Sequence, residues 1–156
     1  MRARKNRLLV IDASVVQSAG ETQHPESSAC RETLLAVLRI CHRVVLTEAI
    51  RDEWKRHMSR FSRKWQLSMT ARKKILHDED PAEVNVDTAG LLDADRDTIE
   101  KDLCLVNAAL AADRIIVTRD DTLKQALAKT REGARLLRTI KWLNPVTDRA
   151  AAIENL

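Results

Sequence analysis

Four acidic residues stand where short aliphatic runs end or beside an apolar helical stripe. Asp12 follows LLVI directly, and Asp120 closes the segment IIVTRD. Asp102 lies three residues after Ile99 and four before Val106, against the apolar stripe of a helical pattern. A charge placed there is costly unless something pairs with it. Glu53 follows Ala49 and Ile50 by one helical turn, and Glu48, ending its own aliphatic run, competes for the same role. Singly, Asp12 and Asp120 read more simply as turn or cap residues. Asp102 reads equally as an exposed flank near a helix N-terminus, and Glu53 and Glu48 as a solvated face. Together they make one case. Carboxylates that converge raise one another's pKa, and a cation must offset them. Oxygen ligands without His or Cys suit Mg²⁺ or Mn²⁺. Such an ion positions a water, lowers its pKa and stabilises a phosphoryl transition state.

Other chemistries fit less well. Cys30, Cys41 and Cys104 are odd in number and widely spaced, with no CxxC pair, so a disulfide framework or zinc site is not expected. Gly20, Gly90 and Gly133 cannot build a glycine-rich phosphate loop. His24, His42, His57 and His77 are scattered; His57, four residues after Glu53, is within reach of the same site, and a plain surface histidine is the simpler reading. A phosphatase with an aspartyl nucleophile wants a second acid two residues after the first, where this chain has Ser14. A phospho-accepting receiver domain wants an Asp at its third strand, where Thr47 and Glu48 stand.

The elements that must position these acids are legible as periodicity. Residues 8–12, 44–48 and 115–121 carry continuous aliphatic runs, suited to strands buried on both faces. LLRTI at 136–140 is a weaker strand candidate. Helical spacing of apolar residues covers 31–42, 49–66 and 98–112, the last preceded by Asp97 with Glu100 three later in a capping-box pattern, and 121–129 adds a short helix. Alternating strands and helices predict an α/β fold, a three-layer α/β/α arrangement around a mostly parallel sheet, as one domain over 1–156. The stretch from Leu76 to Asp97 reads as a long loop, with an edge strand at AEVNV (82–86). Open sheets of this kind bind ligands beyond the carboxyl ends of their strands, where Asp12 and Asp120 fall.

Composition narrows the partners. Apolar residues make up 44% of the 156, enough for a core, but with three Trp, one Phe and no Tyr that core must be aliphatic. No apolar run approaches the ~18 residues of a membrane span, and MRARKNR leads into only four apolar residues, so a cytoplasmic chain is expected. The net charge is +4, unevenly spread. Nine Lys or Arg fall between Arg51 and Lys74 against two acids, and ten acids fall between Asp78 and Asp102 against two bases. The first stretch can attract a polyanion. Within it, Arg56, Arg60, Arg63 and Lys64 are candidates to line the path of single-stranded RNA, holding phosphates without reading sequence. Trp54, Phe61 and Trp65 share one helical face with Met58, which favours a core stripe over base stacking. The basic N-terminus reads as a solvated tail.

Four segments in order carry a family likeness: LLVIDAS (8–14), TEAIRDE (47–53), KDLCLVNAALA (101–111) and IIVTRDD (115–121). This series resembles the PIN-domain nucleases over nearly the whole chain. The resemblance implies a parallel sheet flanked by helices and a Mg²⁺- or Mn²⁺-dependent endoribonuclease. By position, it implies catalytic roles for Asp12, Glu53, Asp102 and Asp120. It makes Thr118 the hydroxyl residue that orders the site and Ser14 the polar residue after the first Asp. The expected metal ligands are Asp12, Asp102, Asp120 and Asp121, although Asp121 directly adjoins Asp120 where the family pattern leaves a gap. Many bacterial members are toxins, so an antitoxin protein and a homodimer are implied partners. The rival expectation is a degenerate PIN module that binds RNA or a protein without cutting.

Overall fold

The computed structural model describes residues 6–156; the basic segment at 1–5 lies outside them. Strands β1 (Leu8–Ile11), β2 (Arg43–Leu46), β3 (Ile75–His77), β4 (Ile115–Val117) and β5 (Lys141–Leu143) form one sheet in the order β3-β2-β1-β4-β5. All four pairings are parallel. Leu9, Val10, Ile11, Val44, Ile116 and Val117 are fully buried, as strands covered on both faces require. Helices flank the sheet in a three-layer α/β/α arrangement. They are α1 (Ala13–Ser18), α2 (Pro25–Ile40), α3 (Glu48–His57), α4 (Arg60–Ala71), α5 (Asp93–Leu110), α6 (Thr122–Leu127), α7 (Arg131–Thr139) and α8 (Pro145–Glu154). The chain runs outward from β1 through β2 to β3, then returns across α5 to β4 on the other side of β1. The order therefore reverses between β1 and β4. In an open parallel sheet the loops leaving such neighbours part in opposite directions, and a crevice opens at their carboxyl ends.

Several expected elements differ. The helix read over 49–66 is two helices, because Ser59 starts a new one. Its hydroxyl accepts from Ser62 N, and its own N–H donates to Val16 O at 3.0 Å. LLRTI is helical, within or at the end of α7, where the Thr130 hydroxyl caps the first turn by accepting from Gly133 N. The last strand is instead KWL at 141–143. AEVNV forms no strand; the edge strand is Ile75–His77, just before the acidic loop. α5 starts at Asp93, so Asp97 lies inside the helix and the capping box is not formed.

Trp54 and Trp65 are core residues, as the stripe predicted, with ring centroids 5.9 Å apart. Each indole also ties layers together: Trp54 Nε1 donates to Ile11 O at 2.9 Å, and Trp65 Nε1 to Leu34 O at 2.8 Å. The Trp54 bond joins α3 to the residue before Asp12. Trp54→Phe should cost about 1 kcal/mol by leaving that carbonyl unpaired, a fall in Tm of about 2–4 °C for a chain of this size. A thermal melt checks this, and an unchanged Tm would show that the bond contributes nothing. His42, also buried, joins the two ends of the described chain. Its Nδ1 accepts from Arg7 N at 2.9 Å, and Nε2 lies 3.2 Å from Ile153 O. One ring nitrogen accepts and the other donates, so the ring is neutral, and burial pushes its pKa down.

Candidate active site

A cleft of about 390 Å³ opens at the carboxyl ends of β1 and β4, lined by Asp12, Glu53, Asp102 and Asp120 among others. The four acids arrive from different elements. Asp12 ends β1, Asp120 lies three residues beyond β4, Glu53 comes from α3 and Asp102 from α5. The local reasons are separate. Burial of Ile50 and Trp54 orients α3 so that Glu53 lies between its buried face and solvent. On α5, Ile99 and Val106 are buried against the sheet, which carries the half-buried Asp102 along their flank.

Asp12 occupies the N-cap position of α1 yet makes no side-chain cap bond. Its carboxylate is held elsewhere. Oδ2 accepts from Ser14 Oγ at 2.7 Å and from Thr118 Oγ1 at 2.9 Å. Oδ1 makes no hydrogen bond among the described residues. The two hydroxyls are themselves oriented from behind: Arg119 N donates to Ser14 Oγ at 3.2 Å, and Asp120 N to Thr118 Oγ1 at 3.1 Å. Thr118 is buried. Thus the residues after β4 fix the carboxylate after β1. Asp120 Oδ1 accepts from Thr122 N at 2.9 Å, which turns the chain into α6.

The electrostatics are lopsided. The Asp102 carboxyl is pushed from its ordinary 3.8 up to about 6, first by burial and then by the charge of Asp12; Lys101 opposes the rise, and Asp120 and Glu53 add to it. The neighbouring Cys104 thiol is pushed up to about 11 by burial and by the charges of Asp102 and Asp12, so it is protonated and a poor nucleophile. Glu53 is the compensated member of the set: Arg56 is ion-paired with it, and His57 Nε2 lies 3.5 Å from its Oε2.

Asp12, Glu53, Asp102, Asp120 and Ser14 line the cleft together, and Thr118 joins them through its bond to Asp12. Asp121 does not. It lines a separate depression with Lys124, Trp142 and Asp148, beyond the turn that Asp120 makes. Glu48, at the first turn of α3, lines another with Asp52 and Glu79. Arg60, Arg63 and Lys64 are exposed on α4 and line no part of the cleft, because the break at Ser59 turns that helix away from the line of α3. Lys101, Arg119 and Gln17, which the sequence does not single out, also line the cleft, as does the exposed His57. Their signal was adjacency, since Lys101 and Arg119 each precede a cleft acid and Gln17 follows Ser14 by three.

In donor chemistry and charge the cleft fits a hard dication: oxygen ligands, and a carboxyl whose ionisation its neighbours oppose. The oxygens do not form a closed cage. Among the described residues no three His, Cys, Asp or Glu side chains stand as a ready ligand group, so side-chain rotation would have to draw them onto an ion. Comparison with protein-family models and with curated proteins gave no match for this chain.

Proposed function

We propose that this protein is a PIN-like endoribonuclease that hydrolyses phosphodiester bonds of single-stranded RNA at the acidic cleft with Mg²⁺ or Mn²⁺. The observation that carries the reading is the convergence of Asp12, Asp102, Asp120 and Glu53 on one cleft at the point where strand order reverses. A pure binding surface has no use for such a concentration of negative charge, which repels nucleic acid until a cation offsets it. Asp12, Asp102 and Asp120 would hold the ion. When bound, it would make a water more acidic and offset charge building on the phosphoryl oxygens.

The chain's own residues do the rest. Ser14 and Thr118 hold Oδ2 of Asp12 and leave Oδ1 for the cleft. Asp102 gives up its proton near neutral pH, which readies it as a ligand. Glu53, clamped by Arg56 and His57, keeps the far wall acidic without adding an unpaired charge. No side-chain nucleophile is required: Cys104 is protonated and the Ser14 hydroxyl is engaged with Asp12. The exposed Arg60, Arg63 and Lys64 of α4 would attract the strand toward this side of the molecule.

The open spacing of the carboxylates favours the rival reading, a module that binds RNA or a protein without cutting. One assay separates them. Single-stranded RNA is incubated with Mn²⁺ and wild-type protein, beside Asp12→Asn and beside an excess of chelator. Cleavage by the wild type with Mn²⁺ alone is the expected result. Equal cleavage by Asp12→Asn would mean that another enzyme did the cutting, and Mn²⁺ binding without cleavage would select the binding module. A toxin role, an antitoxin and a homodimer rest on the family likeness alone. Among the described residues no helix is long and apolar enough to cross a membrane.

A further inference from the structure

We propose that Arg119 is the residue that takes the substrate's phosphate in this cleft, with Glu26 holding its guanidinium until a phosphodiester displaces it. The inference rests on the reading of the cleft as a phosphodiester site and names the group that would bind there.

A polyanion entering a cleft lined by four carboxylates needs a cation already inside it. The expected basic residues do not supply one. Arg56, Arg60, Arg63 and Lys64 all lie outside the lining. Lys101 and Arg119 do line the cleft. Lys101 is exposed and its charge is directed at Asp102, whose ionisation it favours. Arg119 is placed more firmly. Its N–H donates to Ser14 Oγ, and its carbonyl accepts from Asn144 Nδ2 at 3.4 Å. The root of the side chain is thereby pinned between the first turn of α1 and the loop after β5, one residue from Thr118 and one from Asp120.

The guanidinium itself is under-used. It has five N–H donors in a planar fork. Nη1 donates to Glu26 Oε2 at 3.0 Å, across the gap to the first turn of α2. Nε is buried and has no hydrogen-bond partner among the described residues. A buried donor without a partner is unfavourable and is normally satisfied in the working state. The Glu26 contact is a partly exposed ion pair, and such pairs hold weakly. A phosphate presents two oxygens to the same fork and can engage it bidentately. Exchange of one carboxylate oxygen for a phosphate thus satisfies more of the guanidinium than Glu26 does.

The test is RNA binding with Ca²⁺ in place of Mn²⁺, so that a hard dication offsets the carboxylates, with the RNA checked to be intact after each titration. A fluorescently labelled single-stranded oligoribonucleotide is titrated by anisotropy over a salt series. Arg119→Ala should weaken binding by roughly 10-fold, the effect of one charged hydrogen-bonding contact. It should also make the salt slope shallower by about 0.7, the value of one phosphate on a single strand. Arg119→Lys should restore the slope but only part of the affinity, because it keeps the charge and loses the fork. Glu26→Gln should tighten binding by about 2–3-fold by releasing the guanidinium. A thermal melt of each variant shows whether it is folded. Wild-type affinity and slope in folded Arg119→Ala would overturn the inference, as would weaker binding by Glu26→Gln. Failure of the nuclease reading looks different: binding would depend on Arg119 as described, while Mn²⁺ produced no cleavage.

Discussion

Asp12→Asn should abolish measurable RNA cleavage, lowering the rate by on the order of 10³-fold, while the protein stays folded. Asn keeps the shape and can still accept hydrogen bonds from Ser14 and Thr118 through its carbonyl oxygen, so the network behind the cleft survives. What is lost is the negative charge that would hold a dication, and removing one group of that kind commonly costs 10²–10³-fold or more. Thr118→Val separates holding from orienting. It keeps the side-chain volume of a buried residue but removes the hydroxyl that donates to Asp12 and accepts from Asp120 N. Loss of such an orienting contact typically costs 10–100-fold. The order of rates should be wild type, then Thr118→Val, then Asp12→Asn, in a Mn²⁺ assay at saturating RNA. If Asp12→Asn were as active as the wild type, this carboxylate would have no part in the chemistry. If it unfolded instead, Asp12 would be structural.

The fold was legible where the physics is local. Aliphatic runs such as LLVI and IIV have one use in a chain with so few aromatic residues, namely strands buried on both faces, and those strands formed. What was missed was decided by single residues or by distant contacts. Ser59 broke a helix whose apolar spacing ran straight through it, because a hydroxyl in the cap position accepts the first free N–H. LLRTI carries a strand-like composition, but Thr130 caps the preceding turn and carries the helix through it. KWL offers almost no signal by itself; it is a strand because β4 offers an unpaired edge.

The acids of the cleft were legible for a related reason. Residues at the carboxyl ends of parallel strands meet wherever strand order reverses, so Asp12 and Asp120 could be paired before any geometry was known. Asp121 shows the limit of that logic. One residue further on, the turn closed by Asp120 and Thr122 has already carried the chain into another depression. The cations were not legible. Whether Arg60 or Arg119 faces the acids depends on how two loops pack, which charge density along the sequence does not record. Arg119 sits in a stretch of mixed charge, and only its contacts to Ser14, Glu26 and Asn144 give it a direction.

Asp102→Asn should do two opposite things: abolish cleavage, as for Asp12, and raise the stability of the metal-free protein at neutral pH. The carboxyl titrates at about 6 when folded, against an ordinary 3.8, because burial and Asp12 oppose its charge. Between those two values the folded chain keeps a proton that the unfolded chain has released. Stability therefore falls as pH rises through this window. Below about pH 4 both states are protonated and nothing is lost; above about 6 the whole penalty is present. The full shift corresponds to about 3 kcal/mol, but the carboxyl borders an open cleft, and solvent screening reduces this to about 1 kcal/mol. Asn carries no such penalty, so at pH 7 the variant should melt about 2–4 °C above the wild type. Near pH 4 the two should coincide. His42 acts in the other direction, since its lowered pKa makes the folded state lose stability as pH falls below 6.5. That term is common to both proteins and cancels in the difference, so the comparison isolates Asp102. Adding Mn²⁺ at pH 7 should close the gap from the wild-type side, because the ion stabilises the charged carboxylate and has less to hold in the variant. A variant less stable than the wild type at every pH would mean that Asp102 is a structural partner of its neighbours. A difference that ignored both pH and Mn²⁺ would mean that its charge is solvated and that the four acids do not act as one site.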